Sequence, residues 1–150
     1  MSIATRGLGF MHPARAQAYR VTAPTLSRAQ LALLEGAGEE ELTRFVKARA
    51  RVHDWNGVHV RYSQGVIESI HLERLDGFSE AMGMPDWLFW NERLGQHFGA
   101  ELKGASGHLS KWQKRELPSL RRGGLVVFEW YPRDGLEIER VFRYGLEGLS

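Results

Sequence analysis

Two apolar segments joined by a short polar turn dominate the middle of this sequence. Residues 86–104 read DWLFW, NERLG and QHFGAELKG in succession. Aromatic-rich runs separated by a turn that contains Gly predict the two strands of a β-hairpin. Because side chains alternate across a strand, Glu101 and Lys103 are expected on one face and Leu102 on the other. The hairpin therefore predicts a sheet that carries a charged pair near the end of one strand.

The sequence before the hairpin predicts two helices and a strand. Ser27 is placed to cap a short helix that reaches Leu34. Apolar residues then recur every three or four positions from Glu39 to about His53, which is the spacing of one face of a helix. The segment GVHVRY at 57–62 alternates apolar and polar residues and predicts a strand.

The sequence after the hairpin predicts a helix, a strand and a second helix. Ser110 can cap a helix that ends at RRGG, LVVFEW follows as a strand, and apolar residues at 136, 138 and 141 fit a short closing helix. Within the domain that begins at Glu39, the order is then helix, three strands, helix, strand, helix. This order predicts an α/β or α+β domain, with helices flanking a small mixed sheet.

Length and composition indicate one folded domain preceded by a basic arm. The chain has 150 residues, and its first 34 residues carry four arginines and no acid. We predict a basic arm over residues 1–38, which includes the short helix, and a folded domain over 39–150. Such an arm is compatible with phosphate binding and equally with simple solubility.

Several classes of protein are disfavoured by composition. No apolar run is long enough for a bilayer span, and the start lacks the apolar block of a secretory signal. There is no cysteine, so disulfides and thiolate metal sites are excluded. We expect a cytoplasmic protein with no membrane partner and no organic cofactor.

The charged residues of the hairpin suggest a metal site. Asp86 precedes the first strand, and the hairpin can bring it beside Glu101. Adjacent carboxylates repel each other unless a cation lies between them, and Mg²⁺ or Mn²⁺ prefers such oxygen ligands. With Lys103 alongside, this arrangement suits hydrolysis of a phosphodiester. The alternative is a solvated strand face beside an ordinary turn.

These motifs together resemble the PD-(D/E)xK nuclease superfamily, and more narrowly its VRR-NUC branch and related phage Holliday-junction-resolvase-like proteins. The resemblance covers roughly residues 39–142. Its motifs, in order, are an acid at the start of the first helix, GMPD at 83–86, ELKG at 101–104, LSKWQ at 109–113, and the strand after the glycines of RRGGLVVFEW.

The resemblance implies a restriction-endonuclease-like core and a Mg²⁺- or Mn²⁺-dependent endodeoxyribonuclease. Asp86 and Glu101 would be metal ligands together with the Leu102 carbonyl, and Lys103 would be the catalytic lysine. Gln113 would help to position the lysine or the DNA backbone, although Ser110 and Gln113 also form a capping-box sequence that explains both residues.

The acid of the first helix is left open between two residues. Glu39 lies on the apolar stripe of the predicted helix and can point toward the sheet, and we count it among the catalytic residues. Glu41, four residues before Phe45, could do the same as a metal ligand. Both could instead be acids favoured by the helix dipole.

The partners follow from the same resemblance. DNA would be the substrate, with branched or junction DNA favoured, a homodimer is compatible, and a phage or prophage origin is suggested. Basic and polar side chains expected around the site are the candidate DNA contacts: Arg61, Ser63, Lys111 and Lys114. The alternative is a nucleic-acid-binding module that has a nuclease fold without catalysis, or an unrelated α/β domain.

Overall fold

The structure is a computed structural model that describes residues 25–60 and 83–149. The predicted arm up to residue 24 and the candidate DNA contacts Arg61 and Ser63 lie outside the described residues. The described ranges form four α-helices, α1 (Arg28–Leu34), α2 (Glu39–Val52), α3 (Lys111–Arg122) and α4 (Gly135–Tyr144), and four strands, β1 (Asn56–His59), β2 (Trp87–Asn91), β3 (Gln96–Leu102) and β4 (Val127–Trp130). Short 3₁₀ turns precede and follow α4, at Pro132–Asp134 and Leu146–Leu149.

The strands form one mixed sheet in the order β1-β2-β3-β4. β1 and β2 pair antiparallel, as do β2 and β3, whereas β3 and β4 are parallel. A parallel pair needs a crossover connection, and α3 supplies it. The predicted class, an α+β domain with a small mixed sheet flanked by helices, is confirmed.

The limits of the elements follow from local signals. Ser27 caps α1 by accepting a hydrogen bond from the Gln30 N–H at 3.1 Å, as the sequence predicted. Leu34 at the end of this helix is buried in the same core as the sheet. β1 ends at His59, earlier than predicted, although the Val60 N–H still donates to the Asp86 carbonyl at 2.7 Å.

The core lies between one face of the sheet and helices α2 and α4. It is rich in aromatic rings, and the Phe98 ring lies within 6 Å of five others, with centroid distances of 5.1 Å to Trp55 and to Phe128, 5.4 Å to Phe89, 5.6 Å to Trp130 and 5.8 Å to Phe142. Such rings bury large areas and dominate the stability of a core of this size.

None of the described helices has the length and apolarity needed to cross a membrane.

Four ionisable side chains meet inside this core, a feature that the sequence did not predict. Arg49 donates to both oxygens of Glu139, at 2.5 and 2.9 Å. His53 Nε2 lies 3.1 Å from one of these oxygens, and Arg143 Nε donates to it at 3.1 Å. All four side chains are buried, so the hydrogen bonds must compensate for their loss of water.

The end of β3 is buried on both faces. Phe98, Ala100 and Leu102 face the aromatic core, while Gly99 and Glu101 lie on the opposite face. Pro85 crosses Gly99 so closely that a Cβ atom there would lie 2.9 Å from the proline Cγ. Glycine at this position therefore allows the segment before β2 to lie flat on the sheet.

Replacing Gly99 with Ala is expected to lower the free energy of unfolding by about 1–3 kcal/mol, because the proline ring is rigid and must move away. Gly123→Ala is the matched control, since a Cβ there meets only ordinary contacts, the nearest at 3.4 Å. Urea unfolding of both variants measures the difference. Equal stability of the two variants would show that the Pro85 crossing is not tight.

Candidate metal and nucleic-acid site

The carboxylate of Glu101 lies at the centre of the candidate site. Antiparallel pairing of Trp87 with Ala100 places Asp86 beside Glu101. The Asp86 backbone N–H donates to Glu101 Oε2 at 3.2 Å. The hairpin therefore brings together the two acids that the sequence singled out.

The other oxygen of Glu101 accepts from two side chains. Lys103 Nζ lies 2.7 Å from Glu101 Oε1, and Gln113 Nε2 donates to the same oxygen. Glu101 is 0% exposed, so these bonds form away from bulk water. Charge-assisted hydrogen bonds in such surroundings are strong and hold the carboxylate in one orientation.

Burial changes the acidity of this pair. Loss of water and the charge of Asp86 together raise the pKa of Glu101 to about 7, against the lowering effect of Lys103. Burial would lower the pKa of Lys103, but the hydrogen bond and charge of Glu101, with the charges of Asp86 and Glu39, outweigh burial and raise it. Near neutral pH the ammonium is therefore charged, while Glu101 is poised to take up or release a proton.

Gln113 forms the capping box that the sequence predicted, and its amide also contacts Glu101, a partner that the sequence analysis did not name. Its Oε1 accepts from the Ser110 N–H at 2.9 Å, and the Ser110 hydroxyl accepts from the Gln113 N–H at 3.2 Å, so the capping box is present. Because a backbone N–H requires an acceptor, the cap fixes the orientation of the amide and directs its NH₂ group at Glu101. The cap of α3 thus also orients the central carboxylate.

The two candidate acids of α2 are placed differently. The start of α2 contacts the end of β3, where the Ala105 N–H donates to the Ala37 carbonyl at 3.0 Å. Glu39 is close enough to Lys103 for its charge to act on that ammonium, whereas the carboxylate of Glu41 turns back toward Gly38. The expectation that Glu39 lies on the buried stripe is wrong, because it is the first residue of the helix and is exposed.

Other predicted site residues lie around this cluster. The Leu102 side chain is buried in the core, which anchors the backbone between Glu101 and Lys103. Lys111 and Lys114 are exposed on α3, and Lys111 Nζ lies 4.8 Å from the Trp112 ring centre. Both lysines are therefore available to a ligand in solution.

One acid near the site was missed by the sequence analysis. Glu129 of β4 pairs with Glu101 of β3, and its carboxylate accepts from the Tyr131 hydroxyl at 2.6 Å. This bond, with burial, raises the pKa of Tyr131 to about 12. The alternation of Glu129 with Phe128 and Trp130 placed its side chain opposite the core, but no local signal predicted that β4 would adjoin β3.

The donors for a metal are limited in number. Among the residues that the structure describes, no group of three or more His, Cys, Asp and Glu side chains is arranged to hold a metal ion. The donors at hand are the carboxylates of Asp86 and Glu101 and the Leu102 carbonyl that the resemblance implies.

The chain matches no protein-family model, no curated protein and no solved structure.

Proposed function

We propose that this protein is a metal-dependent endodeoxyribonuclease. The observation that carries the proposal is the buried Glu101 carboxylate, held beside Asp86 by the Asp86 N–H and in contact with Lys103 Nζ at 2.7 Å. Two adjacent carboxylates and an ammonium at the end of a strand are the groups that phosphodiester hydrolysis can use. The order of the motifs along helix, hairpin, helix and strand also agrees with the VRR-NUC resemblance.

The donor set fits a hard divalent cation. Carboxylate and carbonyl oxygens are the ligands that Mg²⁺ and Mn²⁺ prefer, and these ions keep several water ligands, so a few protein donors suffice. Asp86, Glu101 and the Leu102 carbonyl would hold the ion. A dication bound there would supply Lewis-acid stabilisation of the charge that develops on the phosphate.

The protein's own groups would act on the phosphate and on the carboxylates. Lys103 stays protonated and can stabilise negative charge on the reacting phosphate or orient the attacking water. Gln113 keeps Glu101 in position through the amide that caps α3. Glu39 contributes its charge next to Lys103 from the start of α2.

Helix α3 supplies the surface that would contact the DNA backbone. Five basic residues lie on it, while its one acid, Glu116, is buried: the basic residues are Lys111, Lys114, Arg115, Arg121 and Arg122. Cations of this kind bind phosphates of any sequence and make the affinity fall with salt. We therefore propose that α3 positions DNA relative to the carboxylates.

The finer features of the proposal come from the resemblance. They are branched or junction DNA as substrate, a phage or prophage origin, and a homodimer that cuts two strands. Exposed apolar side chains on and after α4 are compatible with a dimer interface, with Leu136 at 51% and Leu149 at 46% exposure.

A nucleic-acid-binding module without catalysis is the second candidate. It is favoured by one observation, that both Glu101 oxygens already accept hydrogen bonds from Asp86, Lys103 and Gln113. Incubation of plasmid, flap and four-way-junction DNA with and without Mg²⁺ or Mn²⁺ separates the two. Cleavage that requires the ion supports the nuclease, and binding without cleavage supports the module.

Cleavage is expected to decrease as the pH falls below about 7 at low Mg²⁺, because protonated Glu101 has no charge with which to hold a cation. The loss should approach tenfold per pH unit, and the midpoint should move to lower pH when Mg²⁺ is raised, since the ion and the proton compete. Initial rates on plasmid measured from about pH 5.5 to 8 test this. A flat profile at low Mg²⁺ would contradict it.

A further inference from the structure

The end of β4 borders the candidate site on the same face of the sheet. β3 and β4 pair in parallel with Leu102 opposite Trp130, and the Lys103 N–H continues the ladder by donating to the Trp130 carbonyl at 3.0 Å. Leu102 and Trp130 are both core residues. Because side chains alternate along a strand, the next residue of each strand, Lys103 and Tyr131, points to the opposite face. Tyr131 is therefore the neighbour of the candidate catalytic lysine.

Tyr131 is held at both ends. Its hydroxyl donates at 2.6 Å to Glu129, the strand partner of Glu101, and its backbone N–H donates to the Asp134 carboxylate at 2.8 Å. The Asp134 N–H donates back to the Tyr131 carbonyl at 2.9 Å, which closes the 3₁₀ turn at Pro132–Asp134. The aromatic ring is therefore fixed relative to the site before any ligand binds.

The guanidinium of Arg133 lies on this ring. Its Cζ is 4.2 Å from the centre of the Tyr131 ring, within the range of a cation–π contact, and the side chain is exposed. Stacking of this kind positions a guanidinium while its N–H donors stay available to other partners. The turn and the ring together hold one cation ready at the border of the site.

The charge of Arg133 is not used by an acid of the protein. Within the ranges 25–60 and 83–149, this side chain forms no ion pair with a carboxylate. The three acids within four residues of it each accept a hydrogen bond from another group, and they are Glu129, Asp134 and Glu137. A pre-positioned guanidinium of this kind suits a phosphate, which it can bind through two parallel hydrogen bonds.

We propose that Arg133 is a further phosphate-binding residue of this site and that Tyr131 positions it. The phosphate would belong to the strand being cut, next to the phosphate on which the Asp86–Glu101 pair acts. A contact to phosphate carries no sequence information, so Arg133 would fix the register of the strand and not the choice of bases. The inference rests on the proposed nuclease for its role and adds to it a DNA contact outside α3.

Binding without cleavage tests Arg133 directly. In EDTA, fluorescence anisotropy measures the affinity of a labelled duplex of about 20 base pairs over about 50 to 200 mM salt. Arg133→Ala should weaken binding about fivefold at about 100 mM salt and reduce the slope of log affinity against log salt by about 1. Arg140→Ala is the matched control, because it removes an exposed arginine from α4, on the core side of the sheet, and should change neither quantity.

Variants of Tyr131 test whether it acts through Arg133. Tyr131→Leu removes the ring under the guanidinium and should weaken binding about threefold, whereas Tyr131→Phe retains the ring and should bind within about twofold of the wild type. The Tyr131→Leu/Arg133→Ala double variant should bind no more weakly than Arg133→Ala alone. Losses that add in the double variant would overturn the positioning role, because Tyr131 would then act independently of Arg133.

The outcomes separate this contact from the nuclease. Wild-type affinity and salt slope in Arg133→Ala, or an equal loss in Arg140→Ala, would overturn the contact, as would a wild type that binds no duplex. If the selective loss is seen but no DNA is cleaved with any metal, the phosphate contact stands and the nuclease proposal fails. If DNA is cleaved with Mg²⁺ or Mn²⁺ while Arg133→Ala binds normally, the reverse holds.

Discussion

Asp86→Asn and Lys103→Ala are each expected to reduce metal-dependent cleavage of plasmid DNA by at least about a hundredfold. Asparagine keeps the size of Asp86 but removes the charge that a dication requires. Alanine at position 103 removes the ammonium that contacts Glu101 at 2.7 Å and would face the reacting phosphate. Initial nicking rates under saturating Mg²⁺ and Mn²⁺ measure both losses.

Two controls distinguish loss of chemistry from loss of fold. Asp54→Asn removes an exposed carboxylate at a position with a φ of 57°, which asparagine tolerates, and should cleave at the wild-type rate. Thermal melting of all variants should show a folded protein at the assay temperature. Cleavage that persists in both Asp86→Asn and Lys103→Ala would mean that another site or a contaminant is responsible.

Glu139→Gln is expected to lower the free energy of unfolding by about 3–5 kcal/mol, because two arginines and a histidine in the core would lose their common anion. For a chain of this length the melting temperature should fall by about 10 °C. Glu92→Gln, an exposed carboxylate in the hairpin turn, is the matched control and should melt as the wild type does. Calorimetry or circular dichroism measures the shift.

The same carboxylate predicts how the fold responds to acid. Burial by itself would raise the pKa of Glu139, but hydrogen bonds from His53 and Arg49 and the charge of Arg49 outweigh it and lower the pKa to about 2. Because the folded pKa lies below the unfolded value of about 4.3, the stabilisation is complete above that value and is lost as the pH falls toward 2. The contribution is about 3 kcal/mol.

Urea unfolding at several pH values between about 6 and 2 tests this dependence. The wild type should lose stability across the window from about pH 4.3 to 2, and Glu139→Gln should lose about 3 kcal/mol less over the same range. Parallel curves for the two proteins would show that folding does not lower the pKa of Glu139.

Much of the candidate site was predictable because its residues are close in sequence. Alternation along QHFGAEL placed Glu101 opposite Leu102, and the hairpin brought Asp86 beside Glu101 through antiparallel pairing. The capping box of Ser110 and Gln113 was equally local. Only the second contact of Gln113, with Glu101, needed the fold.

The features that the sequence analysis missed all join distant segments. Arg49 and Glu139 are separated by 90 residues, and nothing near either one indicates the other. Glu129 lies beside Glu101 because α3 returns the chain so that β4 runs parallel to β3.

The sequence by itself determined the elements, their order and the charged pair on β3, because periodicity, caps and strand alternation act between near neighbours. The tertiary structure alone decided the buried Glu139 cluster, the exposure of Glu39 and the position of Glu129 beside Glu101. The physical reason is that burial and charge pairing depend on which surfaces meet when helices cover the sheet, and that choice is made by the packing of the whole core.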